Sequence, residues 1–204
     1  MMSMNDVNVP AIKERVTKII TDPANEWRRI EPEPTTIQQL YTGFIIPVAA
    51  IPVVASFIGN VLIGVPFVGR QNPIFALVVA VVTLGLSLVG TYASAFIISK
   101  LAPSFGSVSD DRQALKLVAY ATAPVWVAGV LNVLPFLGFL VFFVWLYTIY
   151  VFYLGVPLMM KTPPDKVIPY MAVSAIVMIA VAIVMGMIAF AVAGAMFVTG
   201  AVFS

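Results

Sequence analysis

The chain has 204 residues, of which 61% are hydrophobic and 10% are charged, and its net charge is +2. These values lie far outside the range of water-soluble domains and predict an all-α bundle that crosses a membrane several times. The absence of Cys and His excludes disulfides, thiol nucleophiles and the commonest metal ligand, so we expect no cofactor, no metal site and no enzymatic activity. The basic residues are too sparse for a nucleic-acid partner.

Residues 1–35 precede the first apolar run and are predicted to form an interfacial segment on the cytoplasmic side. Apolar residues recur there with helical spacing opposite basic ones, and Pro23 opens a second short helix. One interpretation is a segment that lies on the bilayer surface. Its membrane-surface residues would be Ile12, Val16, Ile19, Trp27, Arg28 and Arg29. The alternative is an element that docks a partner.

Long stretches without charge define the spans. The stretch between Lys116 and Lys161 has 44 residues and would be about 66 Å long as one helix, about twice the hydrocarbon thickness. It must therefore turn back, and Asn132 and Pro135 indicate where. Residues 36–204 are thus predicted to form one domain of five spans, at approximately 37–63, 73–99, 114–133, 136–158 and 167–195. The last run stays apolar to Phe203, so we expect a break near Gly194 or Gly200.

The basic residues predict the orientation. With five spans, ten of the eleven lie on one side and only Arg70 lies on the other. The positive-inside rule then places the N-terminus in the cytoplasm and the C-terminus outside, in a multi-pass protein of the cytoplasmic (inner) membrane. The first span would act as an uncleaved signal anchor, because residues 1–34 lack the apolar core of a signal peptide.

No span contains a charged residue in its middle, so weakly polar residues are the candidates for contacts inside the membrane. Span two carries a stripe at every fourth position, formed by Thr83, Ser87, Thr91, Ala95 and Ser99. Such a stripe serves helix packing within the chain, an oligomer interface or a polar path. A path would be lined by Asn60, Thr91, Tyr92, Tyr120 and Asn132. Ala182 and Gly186 in span five form a further pair of small residues.

Span four is the most aromatic. Tyr147, Tyr150 and Tyr153 approach its cytoplasmic end, where their hydroxyl groups can reach lipid headgroups. They form either an aromatic belt or a binding surface.

Spans one and three contain similar sequences. Pro52 precedes Asn60 by eight positions, and Pro124 precedes Asn132 by the same distance, with Val and Leu following each Asn. This pattern indicates two duplicated hairpins in the same orientation.

Several landmarks together resemble the Yip family, the five-span membrane proteins named for interaction with Ypt/Rab GTPases, and its bacterial branch in particular. The matching residues are Asp22, Pro23, Glu26, Trp27, Ile30, Leu40, Tyr41, Gly43, Pro47, Ala102, Pro103, Phe105, Ala114, Leu115, Lys116, Tyr120, Leu146, Tyr147, Tyr150, Tyr153, Leu154, Gly155, Lys166 and Tyr170. The resemblance implies the five-span fold and a general role in interactions with membrane proteins.

Two functions follow from these observations. The first is a non-enzymatic membrane protein that organises protein partners or lipids and associates with itself or with other membrane proteins. The second is a small permease or channel for a neutral or weakly polar solute, which a continuous water-filled cavity would favour.

Overall fold

The computed structural model describes residues 8–65 and 69–198, and these ranges contain helices and no β-strand. Their extended backbone pairs only in an isolated bridge between Val65 and Gly69. Two short helices come first: α1 covers Val9–Thr21 and α2 covers Pro23–Ile30.

Five helices that are long and apolar enough to cross a membrane follow, which confirms the predicted five-span all-α bundle. Span 1 is Ile37–Ile63, span 2 is Pro73–Phe105, span 3 is Asp111–Val133, span 4 is Pro135–Met159 and span 5 is Pro164–Met196. The positions of the two bilayer surfaces along these helices stay a prediction.

Span 1 contains two π-helical turns, Tyr41–Ile45 and Gly59–Ile63. The 44-residue apolar stretch folds back at Leu134, between the 3-10 segments Gly129–Val133 and Pro135–Leu140. This is where Asn132 and Pro135 predict the turn.

The predicted break in span 5 is wrong at Gly194. The α-helix of span 5 runs unbroken over Val167–Val198 and passes through this glycine. Helical backbone needs no interruption there, since an apolar helix tolerates a single Gly at modest cost. The alternative break at Gly200 lies outside the described residues.

Side-chain caps begin spans 1, 2 and 3, the cap of span 2 being Asn72. Thr36 and Gln39 form a capping box at the start of span 1. Asp110 Oδ1 accepts hydrogen bonds from the backbone amides of Arg112 and Gln113 at the start of span 3. These caps satisfy amides that have no partner within the helix.

Span 3 lies at the centre of the bundle and packs against spans 1, 2 and 4, whereas span 5 packs mainly against span 2. In the most apolar 18-residue stretch of span 3, 67% of the residues are buried, whereas in that of span 5 none is buried. Tyrosine hydroxyls join neighbouring helices: Tyr41 donates to the Leu88 carbonyl at 2.8 Å, and Tyr170 donates to the Ile98 carbonyl at 2.7 Å. Span 5 is therefore the most peripheral helix of the bundle.

One end of the bundle, which we call the charged end, consists of α1, α2 and the loops 106–110 and 160–163. The two loops are joined by the hydroxyls of Ser107 and Thr162, 2.8 Å apart, and by a hydrogen bond from the Val108 amide to the Met160 carbonyl. The opposite end carries Arg70 and the turn at Leu134.

Candidate functional site

The N-terminal segment is fixed on the charged end by a tryptophan. Trp27 is 0% exposed, and its indole Nε1 donates a hydrogen bond to the Val151 carbonyl of span 4 at 2.9 Å. The ring lies against Gly155, where a Cβ atom would be 2.7 Å from Trp27 Cε2. Its edge faces Tyr120 of span 3, with the ring centroids 6.4 Å apart. We call this arrangement the Trp27 site.

The sequence of α2 produces a single buried face. Its buried residues are Pro23, Glu26, Trp27 and Ile30, at positions i, i+3, i+4 and i+7. This is the spacing of one side of an α-helix. Glu26 is the exception among these residues, because a carboxylate on an apolar face needs a charged partner.

Arg15 of α1 provides that partner. Glu26 is 3% exposed, and its Oε1 accepts a hydrogen bond from Arg15 Nη1 at 2.6 Å. Arg15 also pairs with Glu33, and Arg29 reaches the second oxygen of Glu26 at 3.4 Å. The Arg15 guanidinium lies 5.7 Å from the centroid of the Tyr120 ring, within cation–π range. These residues hold α1 and α2 together against span 3.

The charges of this cluster reinforce one another. Burial alone lowers the pKa of the Arg15 guanidinium, but the hydrogen bond to Glu33 and the charges around it outweigh this effect and raise that pKa. Arg15 therefore remains cationic. A buried ion pair of this kind costs desolvation energy, and it is favourable only when both partners stay in place.

Lys116 of span 3 fastens the chain that follows α2. Its side chain is nearly buried at 3% exposure, and Nζ donates hydrogen bonds to the carbonyls of Ile30 at 3.1 Å and Glu33 at 2.5 Å. Gln113 Nε2 donates to the Glu31 carbonyl at 3.0 Å, and Lys161 pairs with the Glu31 carboxylate. Span 3 and the loop 160–163 thus hold the linker between α2 and span 1.

The residues predicted to lie on the membrane surface fall into two groups. The sequence places Ile19 and Trp27 in the headgroup layer, whereas the structure buries both side chains completely within the protein. Ile12 and Val16 are half-buried and pack against the same core. The apolar faces of α1 and α2 therefore contact the bundle. Arg28 and Arg29 remain exposed, and their contact with lipid stays a prediction.

The small-residue stripe of span 2 is divided. Thr91, Ala95 and Ser99 are buried inside the bundle, and Ser99 Oγ donates a hydrogen bond to Asp111 Oδ1 at 2.6 Å. Thr83 is exposed, and Ser87 is half-buried. The half of the stripe near the charged end serves packing within the chain.

Four predicted residues meet in one cavity between spans 1, 2 and 3. This polar pocket has a volume of about 270 Å³. Its polar lining consists of Ser56, Asn60, Thr83, Ser87 and Asn132. Asn60 and Asn132 are thus close together, although they belong to different spans.

The other candidates are dispersed. Tyr92 is exposed and stacks on Phe96, while Tyr120 belongs to the Trp27 site. The five residues expected to line a path therefore do not share one cavity among the described parts of the chain. The Tyr147 hydroxyl donates to the Ile20 carbonyl at 2.6 Å, whereas Tyr150 and Tyr153 are exposed.

The sequence interpretation missed the roles of Arg15, Glu26, Lys116 and Gly155 in holding the N-terminal segment. The position of Glu26 could have indicated its role, since an acidic residue on the apolar face of α2 predicts a buried ion pair. The position of Lys116 also indicated a role, because a lysine five residues inside a membrane-spanning helix needs hydrogen-bond acceptors nearby. In residues 8–65 and 69–198, no three acidic side chains come together as a metal site would require.

The chain has no significant match among curated protein sequences or among solved structures. A family model described as the Yip1 domain matches residues 17–186. The match begins within α1, ends within span 5 and includes the Trp27 site and the polar pocket, whereas Arg15 precedes it. Because it covers most of the sequence, the chain belongs to the Yip1-domain family of multi-pass membrane proteins.

Proposed function

We propose that the protein is a non-enzymatic membrane protein that organises lipids or protein partners at the charged end of its bundle. The observation that carries this proposal is the docking of α1 and α2. The buried residues of these two helices pack against spans 3 and 4, so their outward face is held in place for contact with other molecules.

The outer face of α1 and α2 is predominantly basic. Its exposed charged residues are Lys13, Glu14, Lys18, Asp22, Arg28 and Arg29, four basic and two acidic. Basic residues held near a bilayer attract anionic headgroups by about 1 kcal/mol each at low salt. The same face would attract an acidic surface on a partner protein.

The orientation forms part of the proposal. With the charged end in the cytoplasm, ten of eleven basic residues lie inside and the C-terminus lies outside. The basic face would then meet the inner leaflet of the cytoplasmic membrane, where anionic lipids are available.

Lipid selectivity tests the proposal. Purified protein in vesicles is titrated with spin-labelled phosphatidylglycerol and phosphatidylcholine, and electron paramagnetic resonance measures the relative association of the two lipids. Replacing Lys13, Lys18 and Arg28 by Gln is expected to remove most of the preference for phosphatidylglycerol. The matched control replaces Arg70, Arg112 and Lys166, three exposed basic residues elsewhere, by Gln.

Equal effects of the two triple variants would contradict lipid organisation by this face. Photo-crosslinking from position 28 in native membranes, compared with position 70, then tests the protein-partner alternative. A crosslinked protein that depends on position 28 supports that alternative, and identical products from both positions contradict it.

The alternative function is a small permease or channel for a neutral or weakly polar solute, which the polar pocket favours. Transport would need polar groups along the whole path. We expect proteoliposomes to show no appreciable flux of ions or small solutes. Saturable flux that Asn60→Leu or Asn132→Leu abolishes would make the permease or channel the better-supported function.

A further inference from the structure

The polar pocket depends on an unusually close crossing of spans 1 and 3. A Cβ atom on Gly59 would lie 2.5 Å from the Asn132 carbonyl oxygen and 2.6 Å from that of Val133. A Cβ atom on Gly129 would lie 2.4 Å from the Pro52 side chain. Any larger residue at these positions would push the helices apart, so the two glycines allow the approach that brings Asn60 and Asn132 into one pocket.

The two asparagines occupy corresponding positions in the repeated sequences of spans 1 and 3. In both spans the asparagine lies beyond the end of the α-helix: Asn60 is in the π-turn Gly59–Ile63, and Asn132 is in the 3-10 segment Gly129–Val133. The side chains of Asn60 and Asn132 then line the same cavity. Span 2 completes the lining with Thr83, Ser87 and three apolar residues.

The carboxamides in this pocket lack a hydrogen-bond partner among the described residues. Within the described ranges, neither the Asn60 nor the Asn132 side chain makes a hydrogen bond to another residue. Each carboxamide offers two donors and an acceptor. Both side chains are half-buried, and a carboxamide that faced hydrocarbon unpaired would cost several kcal/mol. A cavity of about 270 Å³ has room for several waters, whose share of liquid volume is about 30 Å³ each.

The lining also determines what class of molecule fits. It combines carboxamide and hydroxyl groups with apolar walls such as Ala49, Val53 and Val79, and it contains no charged side chain. An ion would lose its hydration there without meeting a counter-charge. A neutral molecule that both donates and accepts hydrogen bonds would satisfy the carboxamides.

We propose that the polar pocket is a hydrated site that binds a small neutral hydrogen-bonding molecule, a polyol or an amide, between the carboxamides of Asn60 and Asn132. This site goes beyond the proposed function and involves neither α1 nor α2. Water fills it when the solute is absent.

Cysteine accessibility tests the proposal, because the chain has no native Cys. Ser56→Cys and Ser87→Cys place a nearly isosteric thiol in the pocket and leave both asparagines intact. The full-length protein in nanodiscs is treated with the neutral reagent hydroxyethyl methanethiosulfonate, and mass spectrometry follows the reaction. Ser174→Cys is the matched buried control, since Ser174 is 0% exposed and lies outside the pocket. Val81→Cys is the lipid-facing control, at 64% exposure.

The pocket thiols are expected to react at least about tenfold faster than both controls, because the reactive thiolate forms only in contact with water. Glycerol or urea should slow this reaction in a saturable manner toward the rate of Ser174→Cys. Adding Asn60→Leu and Asn132→Leu should remove that protection.

Three results would overturn the proposal. Pocket thiols as unreactive as the controls would mean a dry cavity. Reaction that neither glycerol nor urea slows would mean a cavity that holds water only. Protection that survives both Asn→Leu substitutions would place the solute elsewhere. Thermal denaturation of each variant shows that the fold is retained.

Discussion

The indole ring of Trp27 occupies the space that Gly155 leaves on span 4. A Cβ atom at position 155 would lie 2.7 Å from Trp27 Cε2 and 2.6 Å from Leu117 Cδ1. The ring atoms belong to a rigid group that is already hydrogen-bonded to the Val151 carbonyl. The absence of a side chain at Gly155 is therefore what allows α2 to pack against the bundle.

Gly155→Ala should displace Trp27 and destabilise the protein by about 1–3 kcal/mol, the usual cost of overpacking a rigid core. The control is Gly85→Ala in span 2, because nothing lies within 4 Å of a Cβ atom there. Alanine is favoured over glycine in a helix, so the control should be neutral or stabilising. Denaturation in mixed micelles of sodium dodecyl sulfate and dodecyl maltoside, followed by Trp fluorescence, measures the stability of both variants. Equal midpoints for the two variants would contradict the packing of Trp27 described above.

Charge-free runs were sufficient to predict the five spans and the turn near Asn132 and Pro135, because the hydrocarbon thickness limits the length of a helix that crosses it. The two short N-terminal helices also followed from helical spacing and from Pro23. The sequence did not reveal what their apolar faces contact. Ile19 and Trp27 show the same pattern whether lipid or protein covers them, and only the fold shows that α1 and α2 pack against spans 3 and 4.

The meeting of Asn60 and Asn132 was partly foreseeable. Their repeated sequence context was visible, but repetition alone does not show that two spans cross. The crossing depends on the contact of Gly59 with the Asn132 and Val133 backbone, which is a long-range property of the fold. Tyr92 and Tyr120, grouped with the asparagines by sequence, face different surroundings for the same reason.

Removing Arg15 should destabilise the docking of α1 and α2. Arg15→Met leaves Glu26 buried with only the longer contact to Arg29, and breaking a buried pair in this way costs about 3–5 kcal/mol. Glu26→Gln in the same chain should recover part of that loss, since no unpaired charge remains. The denaturation midpoints of the two single variants and the double variant measure this coupling. Lys13→Met is the control for the loss of an exposed charge on α1. Strictly additive effects would contradict the ion pair.

Lys116→Met should loosen the linker after α2. The carbonyls of Ile30 and Glu33 lose their charged donor, at a cost of about 1–3 kcal/mol. Trypsin should then cut faster after Arg28 and Arg29, because α2 unfolds locally more often. Lys166→Met is the control, since Lys166 is exposed and its ammonium group lies 3.8 Å from the exposed carboxylate of Asp165. Unchanged cleavage in Lys116→Met would show that the lysine does not hold the linker.

The orientation of the chain predicts where reporters become active. Fusions placed in the loop near Ser107 and after Ser204 should report opposite sides of the membrane, with Ser107 in the cytoplasm. Paired alkaline phosphatase and fluorescent-protein reporters measure this. The same signal from both positions would contradict the proposed topology.

The last prediction concerns how copies of this chain associate. The half of the span 2 stripe near the charged end cannot form an interface between copies, because Ala95 is 1% exposed and Ser99 is 0% exposed. Span 5 is different: no residue of its most apolar stretch is fully buried, and a Cβ atom at Gly186 would meet nothing within 4 Å. Small residues on an open helix face allow two helices to approach closely.

We therefore expect Gly186→Cys to form an intermolecular disulfide in native membranes under mild oxidation, and Ala95→Cys to form none. The chain has no other Cys, so each dimer band reports one position. Val81→Cys, on the exposed face of span 2, controls for random collisions between lipid-facing thiols. A dimer that forms equally well from Val81→Cys would indicate collision only. A dimer from Ala95→Cys would require the bundle to open along span 2, and would contradict the packing of that helix.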